Sequence, residues 1–331
     1  AQLYERARLS IAERLFRRVV FAEILPHPGR LRALFAALLT YQRSGLQRLV
    51  RGSKLLPGPL ARAERLLPDL PRPFRPRREV YPAEGTLRYR VGLFTGCVMP
   101  LVYGPVHAAT LRVLRHNGCE VHVPPQQVCC GALNVHGGER AIAARLARQN
   151  LRAFLGRGLD AIIVNSAGCG ATMKEYTDLL PAAEAAEFAA LTRDVSEFLA
   201  SIELEPPRRS VPRTVTLQES CHLVHAQRVK DAPRQVLAAI PGLELREMTH
   251  SDLCCGSAGL YMLTQSKMSA RILDDKMRDI SRTGAATIVT ANPGCMMQLQ
   301  QGVRRAGLQV DVRHVIEVLD EAYGPPDSVS G

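Results

Sequence analysis

Apolar residues recur along this 331-residue chain in two rhythms. Leu9, Ile11, Leu15, Phe16, Val19 and Val20 fall near helical spacing among arginines. Leu31, Leu34, Phe35, Leu38 and Leu39 do so again after Pro26-His27-Pro28-Gly29, which predicts an amphipathic helical arm over residues 1–55. Its apolar stripe is expected to pack on the domains C-terminal to it, with a membrane-surface role as the alternative. Seven prolines between Leu56 and Pro82 break any helix there and predict a Pro/Arg-rich linker over 56–86.

After the linker, short apolar runs alternate with helical stretches. Arg90–Thr95 reads as a buried strand, Pro105–His116 as a helix, Glu120–Val123 as a strand, Glu139–Arg157 as a helix and Asp160–Asn165 as a strand. The order returns with strands at Thr214–Leu217 and Leu243–Arg246, a long helix over about 258–282 and a strand at Ala286–Thr290. Strand–helix alternation of this kind predicts an α/β fold: two tandem Rossmann-like units with parallel sheets, at 87–205 and 206–324, preceded by the arm and followed by a disordered tail at 325–331.

The chemistry sits where the strands end. Cys129-Cys130-Gly131 returns as Cys254-Cys255-Gly256, and each doublet lies between one cysteine upstream (Cys97, Cys221) and one downstream (Cys169, Cys295). The separations match, 32 against 33 residues and then 39 against 40, so eight of the nine cysteines form two copies of one pattern. Loops at the C-terminal ends of parallel strands converge in space, so four thiols distant in sequence can meet on one metal or cluster. Adjacent Cα atoms are about 3.8 Å apart, which lets both sulfurs of a doublet reach one polynuclear core and makes a disulfide between them strained. Gly96, Gly131, Gly168, Gly170, Gly256 and Gly294 leave room for close backbone approach.

Composition narrows the setting. An apolar content of 46% suffices for packed cores, and neither an 18-residue apolar run nor a signal peptide is present, so a cytoplasmic chain is expected. Clustered cysteines in such a compartment indicate metal or redox chemistry rather than structural disulfides. The start at Ala1, without Met, fits a fragment. Residues 1–90 hold 19 Lys and Arg against 7 Asp and Glu, while 91–331 hold 24 of each, so the net charge of +12 belongs to the arm and linker. Only five of the 43 basic residues are Lys, a bias that genome composition accounts for, and no nucleic-acid motif accompanies the charge. Nucleic acid is therefore not an expected partner.

Further marks are Thr95-Gly96-Cys97, Val128-Cys129-Cys130-Gly131-Ala132-Leu133, Asn165-Ser166-Ala167-Gly168-Cys169-Gly170, Glu219-Ser220-Cys221-His222-Leu223, Leu253-Cys254-Cys255-Gly256-Ser257-Ala258-Gly259, Asn292-Pro293-Gly294-Cys295 and, in the arm, Leu25-Pro26-His27-Pro28. With these the chain resembles, over nearly its whole length, the iron-sulfur subunits of bacterial glycolate oxidase (glycolate dehydrogenase), within the wider cysteine-rich CCG-domain family that includes the cysteine-rich subunit of heterodisulfide reductase. The resemblance implies an oxidoreductase subunit that relays electrons through iron-sulfur clusters from flavoprotein partner subunits oxidising glycolate to glyoxylate. FAD would lie in those partners only. This chain would bind no hydroxy acid or other small-molecule substrate directly, would be inactive alone, and could rest peripherally on the cytoplasmic membrane. It departs from the family in two respects. The upstream ferredoxin-like segment with two Cys-x-x-Cys-x-x-Cys-x-x-x-Cys-Pro runs is not in this sequence. The Cys-x-x-Cys that ends each heterodisulfide reductase motif is here Cys169–Thr172 and Cys295–Gln298. Each site thus offers four cysteines rather than five, which leaves a [4Fe-4S] cubane, a zinc ion or an empty thiol site open.

Among other residues, Cys119 reads as a core cysteine, and Met296-Met297 as core filling on a helix. His222 and His225 flank the second site as candidate hydrogen-bond donors to sulfur. His107 and His136 lack counterparts in the other copy. Three further functions compete: a related subunit of lactate or anaerobic glycerol-3-phosphate oxidation, a heterodisulfide reductase-like thiol redox protein, and a structural zinc-binding assembly module.

Overall fold

A computed structural model describes residues 18–53, 64, 70–259 and 261–324. The predicted helical positions Leu9–Phe16, most of the linker stretch up to residue 69 and the tail after residue 324 lie outside the described residues.

Two sheets carry the molecule. In the first, the strands β1 (Val80–Tyr81), β2 (Tyr89–Phe94), β3 (Cys119–His122), β4 (Ala161–Val164) and β5 (Thr192–Asp194) run in the order β1-β3-β2-β4-β5. In the second, β6 (Arg213–Leu217), β7 (Leu243–Leu245), β8 (Thr287–Thr290) and β9 (Asp311–His314) run in the order β7-β6-β8-β9. Leaving aside β1, which pairs antiparallel with β3 at an edge, both sheets are wholly parallel and share one order. Strand one of each unit lies between strands two and three, so the winding reverses beside it and opens a crevice at the strands' C-terminal ends.

The central strands are apolar because both faces are covered by helices. Val91, Leu93, Ile162, Ile163, Val215, Leu217, Ile288 and Val289 are all buried. Two elements escape the alternation rule that predicts strands: Thr192–Asp194 and Asp311–His314 are too short and polar to read as strands, and each is fixed by the helix behind it. Asp194 and His314 cap the helices Val195–Ala200 and Val315–Tyr323, each in a capping box with the glutamate three residues on, Glu197 and Glu317. The long helix predicted over 258–282 is also divided, into Tyr261–Thr264 and Ser266–Thr283. Ala258 and Gly259 take positive φ of 34° and 62°, from which a right-handed helix cannot start.

The two units pack by exchange. The first helix of one unit lies against the last helix of the other: Gly104–His116 against Val315–Tyr323, and Val195–Ala200 against Ala232–Ala238. Arg112 closes the first contact with a two-pronged bond to Asp320 at 2.9 and 2.6 Å. The shorter segments exchange likewise. Tyr103 donates to Gln300 at 3.3 Å, and Gln227 donates to the carbonyl of Ala167 at 2.9 Å. One apolar core therefore runs through both units, from Val91, Val106 and Val113 to Val215, Val289 and Leu319.

The arm is helical where it is described, with a π-type turn at Arg18–Ile24 and α-helices at Pro28–Arg43 and Leu46–Ser53. Phe21, Leu25 and Phe35 are buried. Phe21 packs beside Gly137, and its carbonyl accepts from the buried Asn134, so the arm lies on the helix that follows the first doublet. Leu34, Leu46 and Leu49 remain exposed. Among the described residues no helix is long and apolar enough to cross a membrane.

Candidate metal centre

The chain leaves β2 for Cys97, the loop after β3 delivers Cys129 and Cys130, and β4 leads to Cys169 at the start of the helix Ala167–Lys174. Cys221, Cys254, Cys255 and Cys295 occupy the corresponding places after β6, β7 and β8. All eight are free thiols. Gly131 and Gly256 follow the doublets with φ of 83° and 89°, a left-handed bend that turns the chain sharply after the second sulfur. The bend aims backbone N–H groups at the sulfurs: Gly131 N to Cys129 Sγ at 3.4 Å, Ala132 N to Cys130 Sγ at 3.4 Å and Gly256 N to Cys254 Sγ at 3.3 Å.

Within each copy the sulfurs form a string of contacts, Cys97–Cys129–Cys130–Cys169 and Cys221–Cys254–Cys255–Cys295. In both copies the first cysteine of the doublet is shifted one way and its two neighbours the other. Bonds from Cys130 and Cys97 hold the Cys129 thiol well below its usual range. Bonds from Cys221 and Cys255 do the same for Cys254, and burial opposes the shift in both cases. The donors are pushed up: Cys97 and Cys130 by their bonds to Cys129 and by burial, and Cys221 and Cys255 by their bonds to Cys254 and by burial. Cys295, at the end of the second string, is also held down, by its bond from Cys255. Among the described residues, no three or more His, Cys, Asp or Glu side chains close around a point as they would on a single ion.

Both strings line one cavity of about 500 Å³ between the units. Its remaining wall is largely apolar, with Phe94, Leu133, Val164, Met262 and Met297. Asn292 ties the two halves of this wall together. Its amide donates to Cys295 Sγ at 3.5 Å, and its carbonyl oxygen accepts from Gly168 N at 3.2 Å and Ser166 Oγ at 3.3 Å. On the first side the fully buried Tyr176 donates to the carbonyl of Cys130 at 2.9 Å, and Asn150 donates to the carbonyl of Cys129 at 3.1 Å and to Tyr176 at 3.2 Å.

The histidines separate by position. His222 lines the cavity, with Nδ1 3.7 Å from Cys221 Sγ, whereas His225 is exposed and does not line it. His136 lines the cavity too, its ring 5.6 Å from that of His222, although it has no counterpart in the other copy. His107 is a buried wall residue. Its Nε2 donates to the carbonyl of Thr95 and its Nδ1 accepts from Asn165, and burial lowers it to about 4, so it stays neutral. Cys119 is a core residue, fully buried and pushed up to about 12 by burial. Met296 is buried in the core, while Met297 reaches the cavity. Sequence alone did not mark Asn150 or Tyr176, whose roles depend on where their helices and loops come to lie.

The donor set fits a thiolate-bound cluster: buried soft sulfurs, backbone and amide N–H groups aimed at them, and a dry wall.

Comparison with known proteins agrees with this reading. The cysteine-rich domain model (CCG) matches residues 91–174 and 215–300, and the model of the glycolate oxidase iron-sulfur subunit linker region matches 12–67. The probable glycolate oxidase iron-sulfur subunit of Bacillus subtilis is 40% identical over 97% of this chain and 76% of its own length. Lactate utilization protein A of Geobacillus kaustophilus is 31% identical over 70% of this chain and 98% of its own. A hypothetical protein from Helicobacter pylori shares the fold, with a TM-score of 0.51 and 13% identity over 78% of this chain and 51% of its own. The chain belongs to the family of glycolate oxidase iron-sulfur subunits, built on two cysteine-rich CCG domains.

Proposed function

We propose that this chain carries electrons from flavoprotein subunits that oxidise glycolate to glyoxylate, and that each cysteine quartet holds one iron-sulfur cluster. Cys97, Cys129, Cys130 and Cys169 hold the first, and Cys221, Cys254, Cys255 and Cys295 the second. The observation that carries this reading is the facing of two sulfur strings across one apolar cavity. Two matched quartets of soft sulfur donors suit polynuclear iron-sulfur cores. A bound cluster supplies reversible one-electron transfer.

The chain's own residues prepare the site for that role. The N–H groups of Gly131, Ala132 and Gly256 and the Asn292 amide donate to sulfur, which stabilises added negative charge and restrains the thiolates. Phe94, Leu133, Met262 and Met297 exclude water from the space between the quartets. His222 donates toward Cys221 rather than serving as a ligand. The chain binds no hydroxy acid itself; FAD and the glycolate site belong to partner subunits. The arm, with its exposed leucines and arginines, supplies the contact to those partners or to the cytoplasmic membrane surface.

Anaerobic purification followed by iron and sulfide assay tests the reading. Iron and sulfide in both sites, with signals that appear on adding glycolate only when the flavoprotein partner is present, support it. Zinc without iron overturns it. The likeness to lactate utilization protein A keeps lactate as the second substrate class, which the same reduction experiment distinguishes.

A further inference from the structure

Asn150 and Lys276 hold the same place in the two units. The buried positions of the helix Arg140–Phe154 match those of Ser266–Thr283 at a constant interval of 126 residues: Ala143 with Ser269, Asn150 with Lys276 and Phe154 with Ile280. Ala143 and Ser269 each lie against the glycine of their doublet, which confirms the alignment. Both side chains tie down the loop that delivers the doublet. Asn150 accepts from Val128 N at 2.9 Å and donates to the carbonyl of Cys129. Lys276, only 4% exposed, donates to the carbonyls of His250 and Ser251.

A neutral amide therefore does in the first unit what a buried ammonium does in the second. The first doublet's loop is held by Asn150, Gln149 and Tyr176, all neutral. Around the second stand Lys276, Asp252, Asp279, and Glu219 with Arg234. The Asp279 carboxylate is occupied by Thr249 N and His250 N, and that of Glu219 by Arg234 and Ser251. Burial pushes Lys276 down, and the negative groups its charge faces are Asp279 first, then Cys255, Asp252 and Cys254. Adding an electron to a cluster adds a negative charge, and a buried cation nearby stabilises that state more strongly than it would in water.

We propose that Lys276 makes the second cysteine site the higher in potential, so that one electron lost by the first site is gained by the second. This rests on the iron-sulfur reading above. Lys276 acts as a positioning residue through the loop and its field, without touching substrate. The test is a spectroscopic redox titration of the chain with both clusters in place, the signals assigned with Cys97→Ser and Cys221→Ser. Lys276→Gln keeps a donor for the loop carbonyls and removes the charge, while Lys276→Arg keeps the charge. The expected result is a fall of the second midpoint in Lys276→Gln by at least the tenfold equivalent, about 59 mV for one electron, with the first midpoint unmoved and Lys276→Arg near the parent. A second midpoint that stays put, one that already lies below the first in the parent, or two that move together would overturn the proposal. Should Lys276→Gln lose the second cluster, Asp252→Asn decides: removing an anion beside Lys276 raises the second midpoint, and no rise sinks the proposal. A parent chain that holds no iron counts against the functional reading instead, before any potential is measured.

Discussion

Gly131 and Gly256 end their doublets in the same left-handed bend, yet their surroundings differ, and the difference sets a test of how rigidly each quartet is held. An alanine at either position must sit at φ of 83° or 89°, which costs an L residue about 1–2 kcal/mol. A Cβ on Gly131 would meet the Cα and Cβ of Ala143 at 3.2 Å, close but relieved by a small helix shift. A Cβ on Gly256 would lie 2.6 Å from the backbone oxygen of Ser269, which a side-chain rotation cannot clear. Forcing that contact adds an overpacking cost of about 1–3 kcal/mol. Gly131→Ala is therefore expected to destabilise the chain by about 1–2 kcal/mol and Gly256→Ala by about 2–5 kcal/mol. Urea unfolding of the metal-free variants, measured side by side with the parent, reads the stability. Iron retained per chain after anaerobic loading reads the site, with Gly256→Ala losing the second cluster selectively. Equal costs, a larger cost for Gly131→Ala, or a neutral Gly256→Ala would refute the reasoning.

Three other outcomes follow from the geometry. Tyr176→Phe removes the donor to the buried carbonyl of Cys130 and a partner of Asn150, and is expected to cost about 1–3 kcal/mol in urea unfolding while leaving the second cluster's spectrum unchanged. Cys97→Ser and Cys221→Ser are each expected to lower bound iron by about one cluster in anaerobic iron assays and to leave the other site filled; loss of both clusters from either variant would show that the sites are not independent. Burial holds His314 at about 4 against an ordinary 6.5. Between those values the unfolded chain binds a proton that the folded chain does not, so stability falls as pH falls through the window, by about 1.4 kcal/mol per pH unit for one proton. His107 acts in the same sense, whereas Asp194, raised to about 7 by burial, acts in the opposite one. His314→Gln should flatten the pH slope of unfolding by one proton between pH 4 and 6.5.

The cysteine repeat was legible because covalent spacing survives in sequence: matching separations place four thiols at matching strand ends. The apolar strands β2 and β4 were legible for the same kind of reason, since full burial on both faces leaves an uninterrupted apolar run. The strands β5 and β9 were not, because their conformation is imposed by capping boxes and by neighbouring strands rather than by their own residues. The late start of the helix predicted from residue 258 was hidden as well, since Ala258 is an ordinary helix former and its positive φ comes from tertiary context. That both quartets face a single cavity could not be read at all. It depends on helices 200 residues apart, Gly104–His116 and Val315–Tyr323, packing through Arg112 and Asp320. Lys276 was unmarked because a lone lysine in an amphipathic helix looks solvent-facing until the fold buries it.

The exchange of first and last helices between the units is the packing of a symmetric dimer written into one polypeptide. In a dimer of identical chains every substitution would appear twice, on both sides of the axis, and the two halves of the cavity could never differ. Joining the copies end to end makes their association independent of concentration and lets each half mutate alone. Covalent linkage thus permits what a true two-fold axis forbids: matching positions that differ, as Asn150 and Lys276 do.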